Sequence, residues 1–207
     1  MSMELQEALL QISAIRHQMA RSEQFRGYRA APVAFSGGLA FAAGAVQAAL
    51  IARPMEQLNR FLTLWIGVAA VSQLICLGDI WRRYRNSSGL LHQEATHLAL
   101  GQFCPCLVAG ALVTWVVARS IPQAIGMLPG LWAILFSLGL FASWRLLPRA
   151  MFGAACYYLG AGLYALSLAG TEHALSPWMM PFLFGIGQLL TAAVLLLSER
   201  KPSASDE

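Results

Sequence analysis

The chain has 207 residues, of which 57% are hydrophobic and 12% charged, about half the charged share of an ordinary soluble domain. Such a composition belongs in lipid. The net charge of +4 does not mark a nucleic-acid binder, because the single Lys and 13 Arg sit in short clusters between apolar runs and form no basic face.

Residues 1–29 contain Glu4, Glu7 and Glu23 and no unbroken apolar stretch, so they do not read as a cleavable signal and are expected to be retained. Leu5, Leu9, Ile12, Ile15 and Met19 recur at spacings of three and four, with acids early and arginines late. That pattern predicts a cytoplasmic amphipathic helix. It suits the inner leaflet, with its arginines near anionic lipid, or a partner protein, or a second copy of itself in a short coiled coil.

Six apolar runs follow, at 30–52, 61–81, 98–118, 124–144, 150–170 and 178–197. Each is near the ~20 residues that cross a hydrocarbon core of ~30 Å. Asp79 is the one charged residue among them. The runs are apolar on every face and too long for barrel strands, so the predicted class is all-α: a six-helix transmembrane domain over 30–198 and a polar tail over 199–207.

Alternate connections differ in charge. One set holds Arg16, Arg21, Arg26, Arg29, Arg82, Arg83, Arg85, Arg145, Arg149, Arg200 and Lys201; the other holds Arg53, Arg60 and Arg119. Basic residues accumulate on the cytoplasmic side, so both termini are expected there. Trp81, Trp115, Trp144 and Trp178 lie at or near predicted span ends, with Trp65 close to one, as headgroup-level indoles do; Trp132 falls inside a span. The longest internal loop, 82–97, is cytoplasmic in this topology, and the outer connections are too short for a receptor or catalytic domain. Gly101-Gln102 and Gly187-Gln188 stand at comparable places in helices of opposite direction, but the two halves align poorly elsewhere.

Motifs of soluble enzymes are missing: there is no GxxxxGK[ST], GxGxxG, GxSxG or HExxH. Intramembrane chemistry needs buried acids, histidines or an activated nucleophile, and the spans hold almost none, so no enzyme and no cofactor is expected. His92 and His97 are five residues apart, which turns a helix by a net ~140° and takes them off one face, so a polar helix start at the headgroups explains them better than a metal pair does.

Three groups remain as candidates. Cys76, Cys104, Cys106 and Cys156 all fall in the cytoplasmic half of the membrane, and with His97 they suit copper(I) or zinc if helices two, three and five adjoin; as small packing residues they need no metal. Asp79, the intramembrane acid, is an ion-site candidate, although Arg82 and Arg83 stand at i+3 and i+4 and account for it as a local ion pair. Gly38 with Ala42, Ala40 with Gly44, and Gly126 with Gly130 have the spacing of close helix contacts. Pro32, Pro105, Pro129 and Pro181 lie near span ends; kinks at Pro105 and Pro129 either open a polar cavity lined by Gln73, Gln102, Ser137 and Gln188 or only shape the bundle.

Residues 128–139, continuing to Arg145 and Pro148-Arg149, and Phe25-Arg26-Gly27-Tyr28-Arg29 before the first span together resemble a family of small bacterial inner-membrane proteins with no assigned activity. The resemblance covers most of the chain and implies no catalytic or binding residue. It does imply genes lying beside a winged-helix regulator, and hence a cytoplasmic regulatory partner for the amino-terminal helix. The expectation is a non-enzymatic inner-membrane protein acting as a subunit or membrane partner of another protein, as a homo-oligomer or within a larger complex. The alternatives are a small-solute or ion transporter and a thiol-ligated metal protein.

Overall fold

The computed structural model describes residues 29–86, 90–144 and 147–200. The amphipathic segment expected before Arg29 and the tail after Arg200 lie outside them, as do the side chains of residues 86–100, including His92 and His97.

The regular secondary structure of the described residues is all helical, with no strand. α1 spans Ala30–Leu50, α2 Leu58–Asn86, α3 Leu90–Ser120, α4 Leu128–Ala142, α5 Met151–Ser167 and α6 Gly187–Arg200. A 3-10 segment, Pro122–Met127, leads into α4, and a π segment, Pro181–Ile186, leads into α6. Four helical stretches are long and apolar enough to cross a membrane, at Ala30–Leu50, Leu58–Arg82, Pro122–Ala142 and Pro181–Ser198. The architecture is that expected of an all-α membrane protein.

Prolines place several of the breaks. Pro54 disfavours helix in the residue before it, and α1 gives way at Ile51, whose N–H still reaches Gln47 O at 2.8 Å. Ile121, before Pro122, leaves the helical region at φ −141°, ψ 63°, and α3 ends before it. Pro129 stands in the first turn of α4, where no intrahelical bond is lost, so it does not produce the interior kink expected of it. Pro105 lies inside α3, which continues through it to Ser120.

α2 and α3 exceed the windows expected for them, 61–81 and 98–118. They are 29 and 31 residues long, roughly 45 Å each, because hydropathy marks only the apolar part of a helix while propensity carries the backbone on through Arg82–Arg85 and His92–His97. α5 is shorter than its window of 150–170, giving way after Ser167 to turns over 168–170.

The helices neighbour one another in chain order around the bundle, and α6 closes the ring against α1. The α4–α5 contact is the most extensive, and the α2–α3 contact is the weakest of the ring. Small residues set the tight pairs. A Cβ at Gly130 would stand 2.7 Å from Gly162 O, and one at Gly162 would stand 3.0 Å from Gly130 O. The backbones of α4 and α5 touch at that level only because both residues lack side chains. Gly44 admits Pro181 in the same way, its Cβ position lying 2.4 Å from the proline ring. Gly38 faces open space, so the expected Gly38–Ala42 contact is not a contact within this chain.

The three connections 51–57, 121–127 and 168–178 share the upper end of the bundle. Ala174 and Leu175 of the last are buried and cap the core from above, over Ile125 and the Gly126 backbone. Arg53 and Glu56 pair at 3.2 Å in the first, exposed and worth little to stability.

Candidate functional site: a cleft between α2 and α3

Where α2 and α3 part, a cleft of about 930 Å³ opens between them. Its floor is built by α4 and the π segment of the sixth helix: Trp132, Phe136, Met180 and Phe184 reach into it from behind. Phe136 and Phe184 meet at 5.9 Å between ring centroids, with Tyr158 stacked behind them at 4.7 and 5.7 Å. Tyr158 is fully buried and lies over Gly187, where a Cβ would fall 2.4 Å from its ring. This aromatic wall gives the cleft a rigid back.

Two tryptophans line the cleft while bonded into the helix before their own. Trp65 of α2 is 2% exposed and donates its indole N–H to Gln47 Oε1 of α1 at 2.7 Å. The Gln47 Nε2 donates in turn to Leu175 O at 2.8 Å, so one fully buried amide joins α1, α2 and the upper connection 168–178. Trp132 of α4 donates to Thr114 Oγ1 of α3 at 2.7 Å, and that hydroxyl donates back to Gly110 O, as intrahelical threonines do. Trp65 is therefore a buried wall residue and not a headgroup marker: its N–H has a protein acceptor and does not need water.

Of the polar residues expected to line a cavity together, Gln73 of α2 and Gln188 of the sixth helix both do so. Neither amide hydrogen-bonds another described residue. Gln102 is exposed and lies away from the cleft, and Ser137 is buried in the core with no hydrogen-bond partner for its hydroxyl. Asp79, half-buried, also lies off the cleft, one turn along α2 from Cys76. The cleft lies where α2 and α3 separate, and Pro105 of α3 stands next to its lining residues Cys106 and Leu107.

The cysteines disperse. Cys104 and Cys156 are exposed, Cys76 and Cys106 are half-buried, and Cys106 alone lines the cleft. Among the described residues no three of His, Cys, Asp and Glu gather as a metal site would require.

Sequence reasoning passed over Gln47, Trp65, Thr114 and Trp132 as a linked set. A signal existed in the primary amide within the first span and the one mid-span tryptophan, since buried amides and indoles need partners. Arg119 was counted only as an outer charge, yet it stands on the lip of the cleft and is the one Arg, Lys, Asp or Glu among the described lining residues. No family model, curated protein or solved structure matches the chain.

Proposed function

We propose that the chain is a bacterial inner-membrane protein of six spans with both termini cytoplasmic, and that it acts without enzymatic chemistry, by binding and passing a small membrane-dissolved solute through the α2–α3 cleft. Besides the four long apolar helices, the third has an apolar part, Cys104–Ser120, of 17 residues, and Met151–Ser167 is also 17 residues long. Both reach the lower end of the ~17–25 residues of a span. Eleven basic residues against three support the orientation.

One observation carries the functional reading: Gln73 and Gln188 face the cleft with no hydrogen-bonding partner among the described residues. In hydrocarbon an unpaired amide is costly, and a solute bearing carbonyl or hydroxyl groups would satisfy both. The π segment beside Gln188 adds weight, because such irregular turns recur at functional sites. Purified protein in sealed vesicles, tested for uptake of a panel of hydroxylated and carbonyl-bearing amphiphiles, should show flux that the Gln73→Leu, Gln188→Leu double variant abolishes. A flat response across the panel would remove the transport reading.

A second reading, a subunit of a larger complex or a membrane partner of a cytoplasmic protein, is favoured by α2. Only 11% of its apolar window is buried in the bundle, against 39–50% for the other three. The resemblance noted in the sequence adds a cytoplasmic regulator as the kind of partner. Crosslinking in native membranes through Leu74, Leu77 and Trp81, all exposed on α2, tests it: failure to trap any neighbour, including a second copy, would count against association.

A further inference from the structure

The lip of the cleft is polarised. Arg119 sits exposed in the last turn of α3, makes no ion pair with a described carboxylate, and is the one Arg, Lys, Asp or Glu among the described lining residues. Trp115 lines the cleft one turn earlier and is 64% exposed, so indole and guanidinium lie on one face of α3. Below them the walls are apolar, with Leu62, Ile66 and Ala69 on α2 and Leu107 and Ala111 on α3.

Dimensions select an occupant. From Arg119 to Cys106 the cleft follows α3 for roughly 20 Å, whereas the acyl chains of one leaflet fill roughly half of the ~30 Å hydrocarbon core. A chain of that length ends above Gln73, which lies roughly 22 Å down α2 from Leu58. The opening lies between two helices that otherwise face lipid, so the ligand enters sideways.

We infer that the cleft holds one acyl chain of an anionic lipid drawn from the leaflet at the Arg119 end, with the lipid phosphate against the Arg119 guanidinium. The planar fork of arginine suits a phosphate oxygen pair, and no carboxylate among the described lining residues opposes it. This inference rests on the cleft being a binding site and concerns its Arg119 end alone, since the Gln73 and Gln188 amides lie below the reach of the chain.

The test is native mass spectrometry of the full chain released from micelles containing equal amounts of phosphatidylglycerol and phosphatidylethanolamine with matched chains. The wild type should retain the anionic lipid about fivefold over the zwitterionic one, the size of one basic residue's interaction with an anionic surface. Arg119→Gln should lose that preference. Ala111→Trp, which fills the cleft from α3, should lose both lipids, and Ala69→Trp does the same from the opposite wall should the first variant fail to fold. Equal retention of the two lipids by the wild type, or an unchanged preference in Arg119→Gln, overturns the assignment to an anionic lipid while leaving the cleft as a binding site. Undiminished retention of both lipids in a folded cleft-filling variant overturns the lipid assignment and the cleft reading together.

Discussion

Replacing Gln47 by Leu tests whether the buried amide holds the upper end of the bundle together. The change keeps the side-chain volume nearly constant, so the loss is one of hydrogen bonding and not of packing. It orphans two groups at once: the Trp65 indole N–H, 2% exposed, and the Leu175 carbonyl, in a residue also 2% exposed. Orphaned buried groups cost ~1–3 kcal/mol each, but interhelical bonds measured in membrane proteins average only ~0.6, because the unfolded chain in lipid also finds partners. With two groups orphaned, the variant should therefore lose about 1–4 kcal/mol. Unfolding by sodium dodecyl sulfate in mixed micelles, followed by circular dichroism, reads it. Gln73→Leu is the control, since Gln73 bonds no described residue, and its unfolding should shift by less than ~0.5 kcal/mol. Equal effects of the two substitutions, or a Gln47→Leu loss below ~0.5 kcal/mol, would refute the argument that this amide fastens α1, α2 and the 168–178 connection.

Gly130→Leu should prevent stable α4–α5 packing and lower the yield of folded protein sharply, because its Cβ alone would collide with Gly162 O, whereas Gly38→Leu should be accepted in the same folding assay. Thr114→Val removes the acceptor of the Trp132 indole and should cost about 1 kcal/mol by the same unfolding measurement, with a shift in indole fluorescence. Impermeant thiol reagents applied to intact cells, using cysteine-free protein with single cysteines introduced, should label positions 55 and 172 but not 149; the reverse pattern would invert the proposed topology.

The helices themselves were legible in the sequence because lipid demands uninterrupted apolar runs and satisfied backbone, and each of the six windows contains a helix in the structure. The polar extensions of α2 and α3 escaped, since hydropathy is blind to helix that has left the apolar region. So did the cleft. A soluble helix betrays its buried face by periodicity, but a span apolar on all sides carries no such mark, and which helices separate depends on packing at residues such as Gly130 and Gly162. Gln73 and Gln188 were visible as intramembrane amides and do reach one cleft, while Gln102 and Ser137 belong with them by depth but point elsewhere. Gln47 was hidden for a similar reason: its two partners lie 18 and 128 residues away.

The chain-order arrangement of the ring bears on how the protein is made. Each helix through α5 finds the preceding one already present as the ribosome delivers it, so assembly proceeds by adding neighbours, and loop closure stays cheap until the end. The sixth helix is different: it must return across the sequence to dock Pro181 into the notch left by Gly44, and Gly185 beneath Phe41. Until it arrives, the small-residue face of α1 lacks the cover that Pro181 and Gly185 give it. A nascent chain stalled before residue 178 would therefore expose that notch, making α6 insertion the committing step and the open α1 face the place where a quality-control protease or a swapped α6 from another copy would engage.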